Sequence, residues 1–200
     1  MIVVKLGGSL YNTPELRAWL NILDEVANQQ PIIIVPGGGP FANQVRDAQQ
    51  LHQFDDSHAH HMAILAMAQF GLLIKGIIPN CQMFYFPTDK LVTTPKGLSV
   101  WLPNESLLSQ AEIMHSWTIT SDSLALWLAN KLNTEQLILV KRNYLNNNRS
   151  ITELSKLGVV DTSFQHLFSQ TSVPSQIVDA QDHQHFSERL ADNTDSILFL

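Results

Sequence analysis

A single cysteine, Cys81, in 200 residues has no partner for an intramolecular disulfide and excludes a cysteine zinc cluster. A small buried hydrophobe is the role left to it. Basic residues are also scarce. Twelve Lys and Arg against 18 Asp and Glu give a formal net charge of −6, so the basic face that nonspecific nucleic-acid binding requires is missing. No apolar run approaches the length of a bilayer span. The N-terminus shows neither the basic region nor the apolar core of a secretory signal. Both common nucleotide loops are absent, since the chain has no G-x-x-x-x-G-K-[ST] and no G-x-G-x-x-G. These absences imply a soluble cytoplasmic protein with no nucleic-acid or membrane partner.

With 44% hydrophobic and 15% charged residues, the chain reads as one globular domain over 1–200. Glycine is sparse at nine, yet five of the nine fall in two loops. Ile2, Val3 and Val4 form a β-branched run that suits a buried parallel strand. Lys5 ends that run, and Gly7, Gly8 and Ser9 follow. Ile32 to Val35 repeat the pattern and lead into Gly37, Gly38 and Gly39. Glycines at a strand's carboxyl end let backbone N–H groups approach an anion closely. Two such loops on adjacent strands predict two anion sites, one for a donor phosphate and one for an acceptor.

Between the loops, Thr13-Pro14-Glu15 signals a helix start. Leu16, Trp19, Leu20, Leu23 and Val26 then mark one apolar helical face. Strand, helix and strand in this order predict parallel pairing and an α/β fold. A further helix is expected to open after Pro40, bringing Arg46 within reach of the second anion site. A longer one should run from about Asp55 to Gly71. Its His58, His60 and His61 lack a third ligand at metal-binding spacing, so no metal site is expected.

Short strands are expected at 81–86 and 98–102 around a Thr88-Asp89-Lys90 turn, with a short helix opening at Pro103-Asn104-Glu105. Ser121 or Asp122 should cap another helix whose buried face is Leu124, Leu128 and Leu132. Leu137 to Val140 should form a strand that ends on two cations, Lys141 and Arg142. Gln176 to Val178 and Ile197 to Leu200 read as further strands, and Asn146 to Asn148 as a turn.

Three motifs in order resemble the amino acid kinase family, which includes acetylglutamate, uridylate, carbamate and isopentenyl phosphate kinases. They are Val4-Lys5-Leu6-Gly7-Gly8-Ser9, Val35-Pro36-Gly37-Gly38-Gly39-Pro40-Phe41, and Thr120-Ser121-Asp122-Ser123-Leu124-Ala125 followed by Leu137-Ile138-Leu139-Val140. The resemblance implies a three-layer αβα sandwich with a mainly parallel sheet. It divides the chain into an acceptor-side half, about 1–115, and a reduced nucleotide-side half, about 116–200. It also implies transfer of a phosphoryl group from ATP, with Mg2+, to a phosphate, carboxylate or carbamate, in a homo-oligomer.

On this resemblance Lys5 neutralises the transferring phosphoryl, and Asp122 fixes Lys5 by accepting a hydrogen bond. Gly7, Gly8, Ser9, Ser121 and Ser123 bind phosphate or nucleotide, while Gly37, Gly38, Gly39 and Arg46 serve the acceptor. Family members often carry Thr-Asp where Lys141-Arg142 stands, and a later lysine whose nearest counterpart, Leu157 to Asp161, has none. Lys141 is then the stand-in for that second catalytic cation. The alternative is a non-catalytic member that binds a nucleotide or phosphometabolite. Thr-Ser-Asp-Ser with a lysine-ended strand further resembles the branch of the family that phosphorylates an aminomethyl-furan phosphate in methanofuran-type cofactor biosynthesis.

Overall fold

The computed structural model describes residues 1–87, 95–144, 149–186 and 190. Six strands form one sheet: β1 (Ile2–Leu6), β2 (Ile32–Pro36), β3 (Gln82–Phe84), β4 (Leu98–Trp101), β5 (Gln136–Lys141) and β6 (Ser175–Asp179). Their order is β3-β4-β2-β1-β5-β6, and every pair is parallel. β1 and β2 pair from Ile2↔Ile32 to Leu6↔Pro36, so the two glycine loops leave the same edge side by side.

Helices cover both faces, as buried parallel strands require. They are α1 (Pro14–Val26), α2 (Gly39–His52), α3 (Asp56–Ile77), α4 (Ser121–Lys131), α5 (Ile151–Lys156) and α6 (Phe164–Phe168). Strand residues alternate between two cores. Val3, Ile33, Val35, Leu137 and Leu139 face α4, Leu154 of α5 and Phe164 of α6. Ile2, Val4, Leu6, Ile138 and Val140 face Trp19, Leu20 and Leu23 of α1. Cys81 is buried in this second core, and burial pushes its thiol up to about 11.

α3 serves both cores. Ile64 and Met67 pack into the first, Phe70 and Ile74 into the second. The change of side occurs at Gly71, where a Cβ would lie 2.5 Å from Leu102 Cδ2, 3.2 Å from the Trp101 carbonyl and 3.4 Å from Pro36 Cγ. Gly71 therefore lets the helix cross the carboxyl ends of β2 and β4. It does not end the helix, as its identity suggested: the helix continues to Ile77. α3 also corrects the expectation that no apolar run approaches a bilayer span: among the described helices it alone is long and apolar enough by length and composition, with 39% of its most apolar stretch buried in this fold.

α4 is buried all round from Asp122 to Ala129, not on one stripe alone, and Thr120, neither Ser121 nor Asp122, is its N-cap residue. The short helix expected to open at Pro103-Asn104-Glu105 is a 3₁₀ turn over Glu105–Ser109. The expected turns at 88–90 and 146–148 and the expected strand at 197–200 lie outside the described residues.

Candidate active site

Strand alternation explains how the charged centre assembles. Val3 and Leu139 face α4, so Lys5, two residues after Val3, and Lys141, two after Leu139, point the same way. Both meet Asp122 at the start of α4. Lys5 Nζ lies 2.7 Å from Asp122 Oδ1 and Lys141 Nζ lies 2.5 Å from Oδ2. The Lys141 contact is a hydrogen bond. The Lys5 contact is an ion pair.

Burial alone would push the Asp122 carboxyl up. The two ammonium groups, Lys5 ahead of Lys141, outweigh it and hold the carboxyl well below the usual carboxylate range. Burial, followed by the Lys5 charge, brings the Lys141 ammonium down to about 8, against the pull of Asp122. One carboxylate between two cations leaves the cluster a net positive charge beneath the glycine loop. A Cβ on Gly7 would sit 3.7 Å from Lys5 Nζ.

The glycine loops lean on each other. A Cβ on Gly8 would lie 2.4 Å from the Gly39 nitrogen, and one on Gly37 would lie 2.4 Å from the Gly8 nitrogen. Gly39 also adopts φ +55, a conformation that favours glycine. The Gly37 amide donates to the Leu6 carbonyl, so Gly37 is a structural spacer and its N–H is unavailable to a ligand. α2 starts at Gly39 with no side-chain cap, which leaves the positive end of its dipole toward the loops.

Two cavities open at this edge. The larger, about 550 Å³, is walled by Gly8, Ser9, Gly38, Gly39, Arg46 and Ser121, and by the apolar Ile64, Met67, Trp117 and Leu124. The second, about 460 Å³, is walled by Ser9, Lys141, Arg142, Tyr144, Arg149 and Gly158. Arg46 lies over Trp117, its guanidinium carbon 3.6 Å from the ring centroid. Trp117 Nε1 donates to Gln49 Oε1 at 2.7 Å, and Gln49 Nε2 donates to Asp56 Oδ1 at 2.8 Å. This chain of contacts holds the guanidinium at the larger cavity's wall.

His60 also lines that cavity. It stacks on His115 and is brought down to about 4 by burial and then by His115, so it is neutral near pH 7. His58 turns outward to Asp55, with Nδ1 2.8 Å from Oδ1. Among the described residues no group of three His, Cys, Asp or Glu could hold a metal ion.

Ser123 departs from the expected role. It is fully buried, and its hydroxyl donates to Asp161. Asp161 Oδ2 also accepts from Thr120 N at 2.9 Å, Thr120 Oγ1 at 2.8 Å and Ser123 N at 3.0 Å. Its Oδ1 accepts from Phe164 N at 3.0 Å. An internal carboxylate thus fills the anion position at the start of α4, so Ser123 holds the helix and offers no free donor to phosphate. Sequence reasoning missed Asp161, which acts across about 40 residues and carries no local signal.

Comparison with known proteins agrees with this geometry. A sequence profile described as the amino acid kinase family matches residues 1–143. The [5-(aminomethyl)furan-3-yl]methyl phosphate kinase of Methanocaldococcus jannaschii is 31% identical over 194 residues, covering 90% of this chain and 88% of that protein. The crystal structure of UMP kinase from Ureaplasma parvum superposes with a TM-score of 0.65 at 12% identity, covering 98% of this chain and 96% of that one. Aspartate kinase from Synechocystis superposes at 0.63 with 14% identity, covering 90% of this chain but 38% of that longer one.

Proposed function

Since the chain belongs to the amino acid kinase family and is a phosphotransferase, we propose that it moves the γ-phosphoryl group of ATP onto a phosphate monoester with a small, flat, largely apolar body. An aminomethyl-furan phosphate is the candidate. The observation that carries this reading is the composition of the larger cavity's wall. Two arginines, Arg46 and Arg142, and no carboxylate face it, beside an apolar floor of Ile64, Met67 and Leu124. Such a wall favours a dianionic head and a hydrocarbon or heteroaromatic body. An amine on the substrate would be met by neutral groups such as Asn12, Asn43 or His60. The name of the Methanocaldococcus relative points the same way.

In this reading residues up to about 115 form most of the acceptor side, and residues from about 116 the donor side. The donor phosphates enter the second cavity, where Lys141, Arg142 and Arg149 supply positive charge. Lys5 and Lys141 spread the charge of the phosphoryl group in transfer, and Asp122 positions both. Amides at Gly8 and Gly39 supply donors from the acceptor side. Catalysis is then placement and electrostatics, as phosphoryl transfer demands. Magnesium carried by the nucleotide would neutralise phosphate charge and keep several waters.

The cytoplasm is the compartment that supplies ATP to such an enzyme, and a homo-oligomer is its working form. The second point is supported by Met62, Leu65 and Leu72, which are 40%, 46% and 53% exposed. They recur along α3 at the three- and seven-residue spacing of a helix-packing seam.

The test is phosphorus NMR of the protein with ATP, magnesium and a panel of acceptors. The panel holds the aminomethyl-furan phosphate, UMP and aspartate. New diphosphate resonances with the furan phosphate, at a kcat/KM above that for the other two, are expected. An acyl phosphate from aspartate, or preference for UMP, would overturn the acceptor assignment.

A further inference from the structure

Only Ser9 and Arg142, among the described residues, stand on the walls of both cavities. The first loop reaches this junction from β1 and the second residue comes from the exit of β5. The two strands are neighbours, and a Cβ on Gly7 would lie 3.2 Å from the Val140 carbonyl. The β5 exit turn is built to present Arg142 there. Lys141 turns inward to Asp122. Asn143 takes φ 59, and the Tyr144 amide donates to Asp179 Oδ2 at 2.5 Å. Asp179 ends β6, so the turn is pinned to the sheet on both sides of Arg142. Among the described residues no carboxylate lies within 4.0 Å of the Arg142 guanidinium. It is an exposed cation between two cavities, with no ion-pair partner among the described residues.

From this geometry we infer that Arg142 is a catalytic residue, one that bridges donor and acceptor and touches the phosphoryl group as it passes between the cavities. The inference rests on the kinase reading above. In the transfer, an oxygen of the acceptor's dianionic phosphate attacks Pγ. The bond from Pγ to the β–γ bridging oxygen breaks, and its electron pair leaves with ADP. The dianionic nucleophile has no proton to lose. Two phosphate groups and the phosphoryl between them bring several negative charges together. Lys141 is held in place by Asp122, so it can meet the phosphoryl from its fixed position but cannot reach across to the acceptor's phosphate as well. The planar Arg142 fork presents five donors in fixed geometry and can engage oxygens on both sides through paired bonds, where a lysine ammonium acts as a point charge.

The experiment compares wild type with Arg142→Ala and Arg142→Lys. Steady-state kinetics in both substrates would be joined by calorimetric binding of ADP with and without fluoroaluminate, which mimics the phosphoryl in transit. Arg142→Ala should lose about 10²–10³-fold in kcat while both KM values change by less than about 3-fold. Arg142→Lys should recover part of the loss, as should free guanidinium added to the alanine variant. Fluoroaluminate should tighten ADP binding in wild type and not in Arg142→Ala.

A kcat within about 3-fold of wild type in Arg142→Ala would overturn the inference and leave the kinase reading intact. So would a rise in acceptor KM alone, which would make Arg142 a simple acceptor-binding group. If wild type transfers to no acceptor, the acceptor reading fails. The fluoroaluminate effect then decides for Arg142: its loss in Arg142→Ala sustains the role, and no difference between the two proteins overturns it.

Discussion

Replacing Gly8 with alanine tests whether the two glycine loops are locked by contact or serve only as flexible anion binders. The added methyl would start 2.4 Å from the Gly39 nitrogen and 2.7 Å from Gly39 Cα. Both are backbone atoms at the start of α2, so no side chain can swing aside. Restoring an ordinary contact of at least 3.4 Å requires the loops to part by about 1 Å. Overpacking of this kind costs about 2 kcal/mol, which in a chain of this length lowers Tm by about 4–8 °C. The same displacement moves the donors on Gly8 and Gly39 away from the phosphoryl path, and about 10²-fold in kcat should go with it. Differential scanning calorimetry and steady-state kinetics on one preparation give both numbers. Gly76→Ala is the internal control. A Cβ there meets nothing within 4 Å, so in α3 the change should stabilise by about 0.5–1 kcal/mol. An active Gly8→Ala protein with wild-type Tm, or equal effects at the two sites, would refute the interlocked-loop argument.

Four further outcomes follow from the same geometry. The Lys141 ammonium, brought down to about 8, should give kcat/KM a limb that falls as pH rises through that value, and Lys141→Arg should move the limb to higher pH. Stability runs the other way: the folded state holds this proton less tightly than the unfolded chain, so the Lys141 contribution grows between about 8 and 10.5, measurable as urea midpoints across that range. Asp161→Ala removes the acceptor for Ser123 and Thr120 at the head of α4 and should cost about 2–3 kcal/mol by chemical denaturation; a loss below about 0.5 kcal/mol would show that water replaces it. Leu65→Glu with Leu72→Glu on the exposed face of α3 should reduce the sedimentation coefficient to that of a single chain, and an unchanged oligomer would place the contact elsewhere.

What could be read from the sequence was governed by how local the determinants are. Ile2 to Val4 and Ile32 to Val35 announce buried parallel strands by composition alone, and each glycine loop sits where its strand ends. Lys5 and Asp122 were legible only through the family's motif, because about 117 residues separate them and no spacing rule joins them. Lys141 becomes legible once β1 and β5 are known to be neighbours, since alternation then sends both lysines to one side. Gly71 was misread because a glycine late in a helix looks like a stop. Its true function, letting α3 cross the strand ends, depends on Trp101 and Leu102, which a local window never sees. The Ser123 contact with Asp161 was not legible, because a hydroxyl that binds phosphate and one that binds a distant aspartate look alike in sequence. The junction role argued for Arg142 depends on two cavities that exist only after folding.

The backbone contact between the glycine loops bears on how this scaffold can diversify. Gly8 and Gly37 leave no room for a side chain, so neither position can be used to explore new substrates without parting the loops. On the function proposed above, heritable change in acceptor choice is therefore channelled into the cavity's other walls: Arg46 with its Trp117 platform, and His60 on α3. The machinery that moves the phosphoryl group is frozen by sterics, while the rim that selects its recipient is left to drift. A lineage built on this fold would change what it phosphorylates far more readily than how.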